Sequence, residues 1–219
     1  MHLIVLASIL PGFLWLWYFH KHDQFEQEPI SEIVKCLIYG AVAVVPALIL
    51  EYPFRNVLQN PSSLWTRFFV SFFVIGLGEE LCKFLAVYLA VYHSSTLNEP
   101  VDGIMYGVTA AIGFSMIENI LYISAFGFVV VPLRAVFASL AHTSFTGLMG
   151  YFLGSGKFGS RPHQQMALGL GVATFLHGVY DFILLGQIGS PFIAIILTIV
   201  FHYVLLKAIQ RALAVSPFR

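Results

Sequence analysis

The sequence predicts an all-α fold, a polytopic transmembrane helical bundle of about seven spans around a polar intramembrane cavity. Three observations carry this expectation. Of the 219 residues, 58% are hydrophobic and only 10% charged, with a mean hydropathy of +0.84, whereas a soluble domain carries about 25% charged residues. Apolar runs recur at the length of about 20 residues that crosses a bilayer. Ionisable residues lie inside four of these runs, where hydrocarbon tolerates them only facing one another or water. The 11 basic and 11 acidic residues cancel, which excludes a basic nucleic-acid binder and an acidic or disordered chain.

The first span is expected over Leu3–Phe19 and stops at His20-Lys21-His22-Asp23. Trp15, Trp17 and Tyr18 cluster at that end, as an interfacial aromatic belt would. The run lacks a positive amino-terminal region and small residues at its end, so it reads as a retained span rather than a signal peptide. The second span covers Ile33–Leu50 with Pro46 inside, and Glu51–Thr66 reads as a loop marked by Pro53, Asn60-Pro61 and Ser62-Ser63. The third runs from Leu64 to Tyr92, the fourth from Val101 to Phe126, and a link near Gly127–Pro132 leads to the fifth, which ends near Leu153. The sixth covers Met166–Leu185 and the seventh Phe192–Ile209. An eighth span arises only if the long third region breaks. No repeat or separate soluble domain is visible, so residues 1–219 read as one domain.

Small residues indicate where helices approach closely. Gly103, Gly107 and Ala111 recur at four-residue spacing, as do Gly150 and Gly154, the pattern that lets backbones meet in lipid. Cys36 and Cys82 lie within apolar runs at different depths and are expected to be free thiols. With seven spans, Lys21, Lys157, Arg161, Lys207, Arg211 and Arg219 fall on one side and Arg55 and Arg67 on the other. The positive-inside rule then places the C-terminus in the cytoplasm and the N-terminus outside.

The chemistry resides in the polar groups within the spans. The third span contains Glu79-Glu80-x-x-Lys83, the fourth Phe114-x-x-x-Glu118-Asn119, the fifth His142-x-x-x-Thr146 and the sixth His177-x-x-x-Asp181. An acidic residue at a helix centre costs roughly 2.5–3.5 kcal/mol on insertion scales, so four spans with polar groups at similar depth imply one shared cavity. At about 100° per residue, Lys83 falls angularly between Glu79 and Glu80 and can pair with either. Gly76, on the same face, would leave backbone accessible beside them. Thr174, His177 and Asp181 form one stripe, in which Asp181 can orient His177; Ser139, His142, Thr143 and Thr146 form another. His20, His22, His93, His163 and His202 read as interfacial.

No His-Glu-x-x-His or Gly-x-Ser-x-Gly motif occurs. Carboxylates and imidazoles in a wet pocket suit water activation, with a glutamate as general base and imidazoles on the water or oxyanion. Two histidines and a glutamate would equally make a three-ligand zinc site. Both chemistries stay open, and the metal-free one is preferred. A proton- or ion-coupled transporter would also place Glu, Lys and His at mid-membrane, though no repeat of the transporter kind is visible. A non-catalytic membrane scaffold would have little need of so many buried charges.

The four motifs, one per span and in this order, resemble the PrsW family of bacterial intramembrane proteases, within the wider group that includes the CAAX-prenyl endopeptidases. The stretch Pro11, Trp15, Tyr18, Asp23 and Glu28-Pro29 is similar to that family too, as is Val101-Asp102-Gly103-Ile104-Met105-Tyr106-Gly107. The resemblance implies an endopeptidase of the bacterial plasma membrane that cuts a single-span substrate within the lipid bilayer, such as an anti-sigma factor. It implies Glu79, Glu80, Glu118, His142 and His177 as the catalytic set, with Lys83, Asn119, Thr146 and Asp181 in support. Glutamic and metal-dependent mechanisms both carry over from the resemblance.

Overall fold

The computed structural model describes residues 2–60, 63–186 and 190–219. Met1 and the expected loop markers Pro61 and Ser62 lie outside the described residues. Seven long helical segments are present, with no strand among the described residues. They are α1 (His2–His20), α2 (Ile30–Glu51), α3 (residues 64–91), α4 (Pro100–Phe126), α5 (Phe128–Lys157), α6 (Pro162–Gly186) and α7 (Pro191–Ala214). Six of them are long and apolar enough to cross a membrane. The remaining one, α3, carries Glu79, Glu80 and Lys83, and those charges dilute its apolar character. Connections are short, so consecutive helices alternate in direction and α3 traverses the bundle with the others.

Several boundaries differ from the sequence-based expectation. The loop expected after the second span opens with two short helices, Tyr52–Phe54 and Arg55–Gln59. The fifth span begins at Phe128 rather than beyond Pro132, and its first turns pass through 3₁₀, α and π geometry before a regular helix starts at Ser139. Pro132 sits at a helix start, where its missing N–H costs nothing. His202 lies midway along α7 and bonds the Tyr18 hydroxyl at 2.9 Å, so it joins α1 to α7 rather than marking an interface.

Helix α4 is the axis of the bundle, buried without a break from Val101 to Met116. The expected small-residue stripes account for this. A Cβ on Gly103 or Gly150 would collide with the other's carbonyl, and one on Gly107 would meet the Thr146 carbonyl, so α4 and α5 touch backbone to backbone. A second seam, unforeseen in the sequence, joins α4 to α2: Gly40 abuts the Ala110 carbonyl and Gly113 the Leu37 carbonyl. Cys36 and Cys82 are free and buried.

At the end of the bundle where α1, α3 and α5 finish, acidic groups tie the α1–α2 and α3–α4 connections together. Asp102 accepts the Asn98 and Glu99 amides at 2.7 Å each, and Lys157 donates to the Ser94 and Leu97 carbonyls. The Tyr106 hydroxyl reaches both Glu28 and Thr96, donating to one and accepting from the other. Burial pushes the Glu28 carboxyl up to about 9. Burial, then the neighbouring Asp102 and Glu99, pushes Asp23 up to about 7. Both values exceed those of the unfolded chain, so the folded state binds more protons, and stability is full at acidic pH and lost as pH rises through each folded value. The melting temperature of the detergent-solubilised protein should therefore fall between pH 5 and 9, with Asp23→Asn and Glu28→Gln flattening the lower and upper parts of the slope. A melting temperature that climbs with pH in both variants and parent would contradict this assignment.

Candidate active site

The four polar motifs converge. Lys83 is fully buried, and its ammonium donates to Glu80 Oε1 at 2.8 Å, Glu79 Oε2 at 3.0 Å and His142 Nδ1 at 3.0 Å. An ammonium has three hydrogens and accepts nothing, so all its donors are used. It also lies 4.2 Å above the Phe114 ring. Because Lys83 can only donate, His142 Nδ1 accepts, and the hydrogen of the neutral imidazole sits on Nε2, 2.8 Å from Glu118 Oε2.

The two adjacent glutamates differ in environment. Glu80 is fully enclosed and accepts from Lys83, from Thr146 Oγ1 at 2.9 Å and from His177 Nδ1 at 2.9 Å. Glu79 has one oxygen bonded to Lys83 and forms part of a cavity wall. The cavity, about 450 Å³, lies toward the end of the bundle where α2, α4 and α6 finish. Glu79, Glu118, His142, His177 and Asp181 all border it, among apolar side chains such as Val44, Leu48, Leu121 and Leu185. Asp181 Oδ2 stands 3.4 Å from His177 Nε2, in keeping with the expected stripe. Phe145 stacks on the His177 ring, and the two imidazoles meet edge to face with centroids 5.2 Å apart.

Two expectations are corrected. Thr143 returns its hydroxyl to the Leu140 carbonyl of its own helix and stays out of the site. Gly76 does not expose backbone beside the carboxylates; it is buried, and a Cβ there would press on Ser71 and on the backbone of Thr174 and Gly178. Its role is to bring α3 against α6.

Arg134, unremarked in the sequence, completes the site. Its Nη2 lies 2.9 Å from Glu118 Oε2, its Nε donates to Asn119 Oδ1 at 2.8 Å, and its guanidinium covers the Tyr122 ring. Asn119 reaches Ser139 in turn, which bonds Ser115. The available signal was an arginine within an apolar run, which a membrane interior tolerates only when paired. Glu51, the last residue of α2, also borders the cavity, although the sequence assigns it to a loop.

Glu79, His142 and His177 each bring one donor atom to within 4.8 Å of the others. Two imidazoles and a carboxylate form a donor set that zinc takes in catalytic sites. His177 turns Nδ1 toward Glu80, as metal-bound histidines turn theirs toward a carboxylate. One contact opposes a cation: Lys83 directs its ammonium at two of the three residues, so a metal and the ammonium compete for the same lone pairs.

The model of the PrsW family, described as intramembrane metalloproteases, matches residues 28–207. Protease PrsW of Bacillus subtilis (strain 168) is 34% identical over 186 residues, covering 84% of both chains. Protease PrsW of Clostridioides difficile (strain 630) is 32% identical over 213 residues, covering 93% of this chain and 87% of the relative. No solved structure gives a significant match. These likenesses span nearly the whole bundle and leave the transporter and scaffold alternatives without support. The chain belongs to the PrsW family of intramembrane proteases, hydrolases that act on peptide bonds.

Proposed function

We propose that residues 1–219 act as one protease domain that cleaves a single-span membrane protein, such as an anti-sigma factor, within the bilayer of a bacterial plasma membrane. The observation that carries this reading is the convergence of Glu79, His142 and His177 on the wall of the cavity. Glu79 meets the attacking water and takes its proton. His142 and His177 hold the water and the developing oxyanion, and Asp181 keeps the His177 ring oriented. Glu80 does not touch substrate; with Lys83 and Thr146 it positions Glu79 and both imidazoles. Arg134 pairs with Glu118 beside His142, with Asn119 fixing the guanidinium.

A metal-assisted form of the reaction stands beside the metal-free one and is supported by the donor set and the family's description. Were zinc bound, Glu79, His142 and His177 would hold it, and it would supply Lewis-acid polarisation of the water in place of proton abstraction by Glu79. The loop charges favour a cytoplasmic C-terminus and an extracytoplasmic N-terminus, which sets the cavity in the outer half of the membrane.

Four outcomes test this reading. Glu79→Gln should accumulate near the parent level yet cleave at least about 10²-fold more slowly, the usual worth of a general base. Glu80→Gln should lose abundance as well, since breaking a buried charge network costs roughly 3–5 kcal/mol. An active Glu79→Gln would remove Glu79 from the role given to it. Lys83→Gln should bind Zn²⁺ at least about tenfold more tightly in a chelator-competition titration, because a unit charge about 4 Å away is worth about 4 kcal/mol even at an effective dielectric of 20. Equal affinity would show that the ammonium and the metal do not compete. A reporter fused after Arg219 should read cytoplasmic and one ahead of Met1 extracytoplasmic; the reverse pair of readings would invert the site's depth.

A further inference from the structure

In and behind the cavity wall, carboxyl groups outnumber the lysine and arginine side chains. Lys83 spends all three donors on Glu79, Glu80 and His142. Arg134 is engaged by Glu118 and Asn119. Five carboxyl groups, those of Glu51, Glu79, Glu80, Glu118 and Asp181, surround these two cations. Asp181 has His177 beside it. Glu51 has neither a hydrogen bond nor an ion pair among the described residues, although it is only partly exposed and borders the cavity. Ala47 and Leu48 of the same helix, and Leu184 and Leu185 of α6, also line the cavity and are apolar. A carboxyl group without a partner, in a cavity wall that also carries apolar side chains, fits a long side chain that runs its methylenes along the wall and delivers a cation at the tip.

We infer that Glu51 is a specificity-determining residue that receives a lysine or arginine of the substrate, placed on the side of the scissile bond that faces the ends of α2, α4 and α6. The inference rests on the protease reading of the cavity and adds the substrate's charge to it. Glu51 makes no hydrogen bond or ion pair with the Lys83 and Arg134 networks among the described residues, so its replacement leaves the groups assigned to water activation paired as before.

The test uses the full chain in detergent and synthetic single-span peptides that carry one Lys, Gln or Glu at successive positions in the half facing those helix ends. Binding is read by fluorescence anisotropy on the inactive Glu79→Gln background, so it does not depend on turnover. The lysine peptides should bind about tenfold more tightly than the glutamate peptides, as a close charge pair predicts. Adding Glu51→Gln should abolish the difference, and adding Glu51→Lys should invert it in favour of glutamate. A lysine preference that persists unchanged in Glu51→Gln and Glu51→Lys, or no preference in the Glu79→Gln parent, would overturn the assignment. Cleavage of the same peptides by the otherwise unaltered enzyme, followed by mass spectrometry of new termini, is a separate readout. A charge preference in binding without any new terminus would count against the protease reading while leaving the Glu51 site intact.

Discussion

A lysine ammonium inside a bilayer has no water to turn to, and the architecture of the site follows from satisfying it. Lys83 needs three acceptors within hydrogen-bonding reach, and one helix can supply only Glu79 and Glu80, one turn back on its own surface. The third must come from another helix, and His142 of α5 provides it. That contact fixes the tautomer of His142 and turns its Nε2–H toward Glu118 of α4. Glu80, drawn to the same ammonium, still has acceptor capacity and takes hydrogens from Thr146 and His177. One cation thereby recruits four helices. Such a network is costly to bury and more costly to break, so it specifies the arrangement of the bundle as well as its chemistry.

The network is geometrically possible only because α4 can be approached so closely. Side chains of the length of Glu and His span the gap between α3, α4 and α5 when the intervening backbones touch. The glycine seams of α4 with α2 and α5 remove the Cβ atoms that would hold them apart. In lipid there is little hydrophobic gain in bringing apolar helices together, so this packing and the buried polar contacts must supply the association. Packing and polar network therefore depend on each other: a bulkier residue at Gly107 would displace Thr146 and, through it, Glu80.

How much of this was legible in the sequence follows the same physics. Apolar runs and intramembrane charges are one-dimensional signals, and they located the spans, the four motifs and the α4–α5 stripe. The distinct environments of Glu79 and Glu80 were not legible, because both are within reach of Lys83 on an ideal helix and only the neighbouring helices distinguish them. Arg134 follows a short link, where a basic residue looks interfacial; its burial depends on Glu118 and Tyr122, which belong to another helix. Glu51 ends α2 and borders the cavity, yet it reads as the start of a loop because Pro53 and Asn60-Pro61 follow it. His202 pairs with Tyr18 across 184 residues of sequence, and no local pattern encodes that contact.

Two departures from α geometry account for how the polar residues come to face inward. The π turns Val70–Gly76 and Arg134–Ala138 precede Glu79-Glu80 and His142, respectively. A π turn accommodates an extra residue and so rotates everything after it by about 100° relative to an uninterrupted helix. In α3, this lets exposed Phe69 and Phe73 face outward while Glu79, Glu80 and Lys83, further along, face the axis of the bundle. In α5, Val136 faces outward while Arg134, in the same turn, reaches Glu118, and His142 follows on the buried side. A π turn is a less stable backbone than the α-helix it interrupts, and nothing in the apolar composition of either segment calls for one. The residues that gain from the rotation are those of the Lys83 and Arg134 networks, so the pairing of buried charge stabilises the irregular backbone that makes the pairing possible.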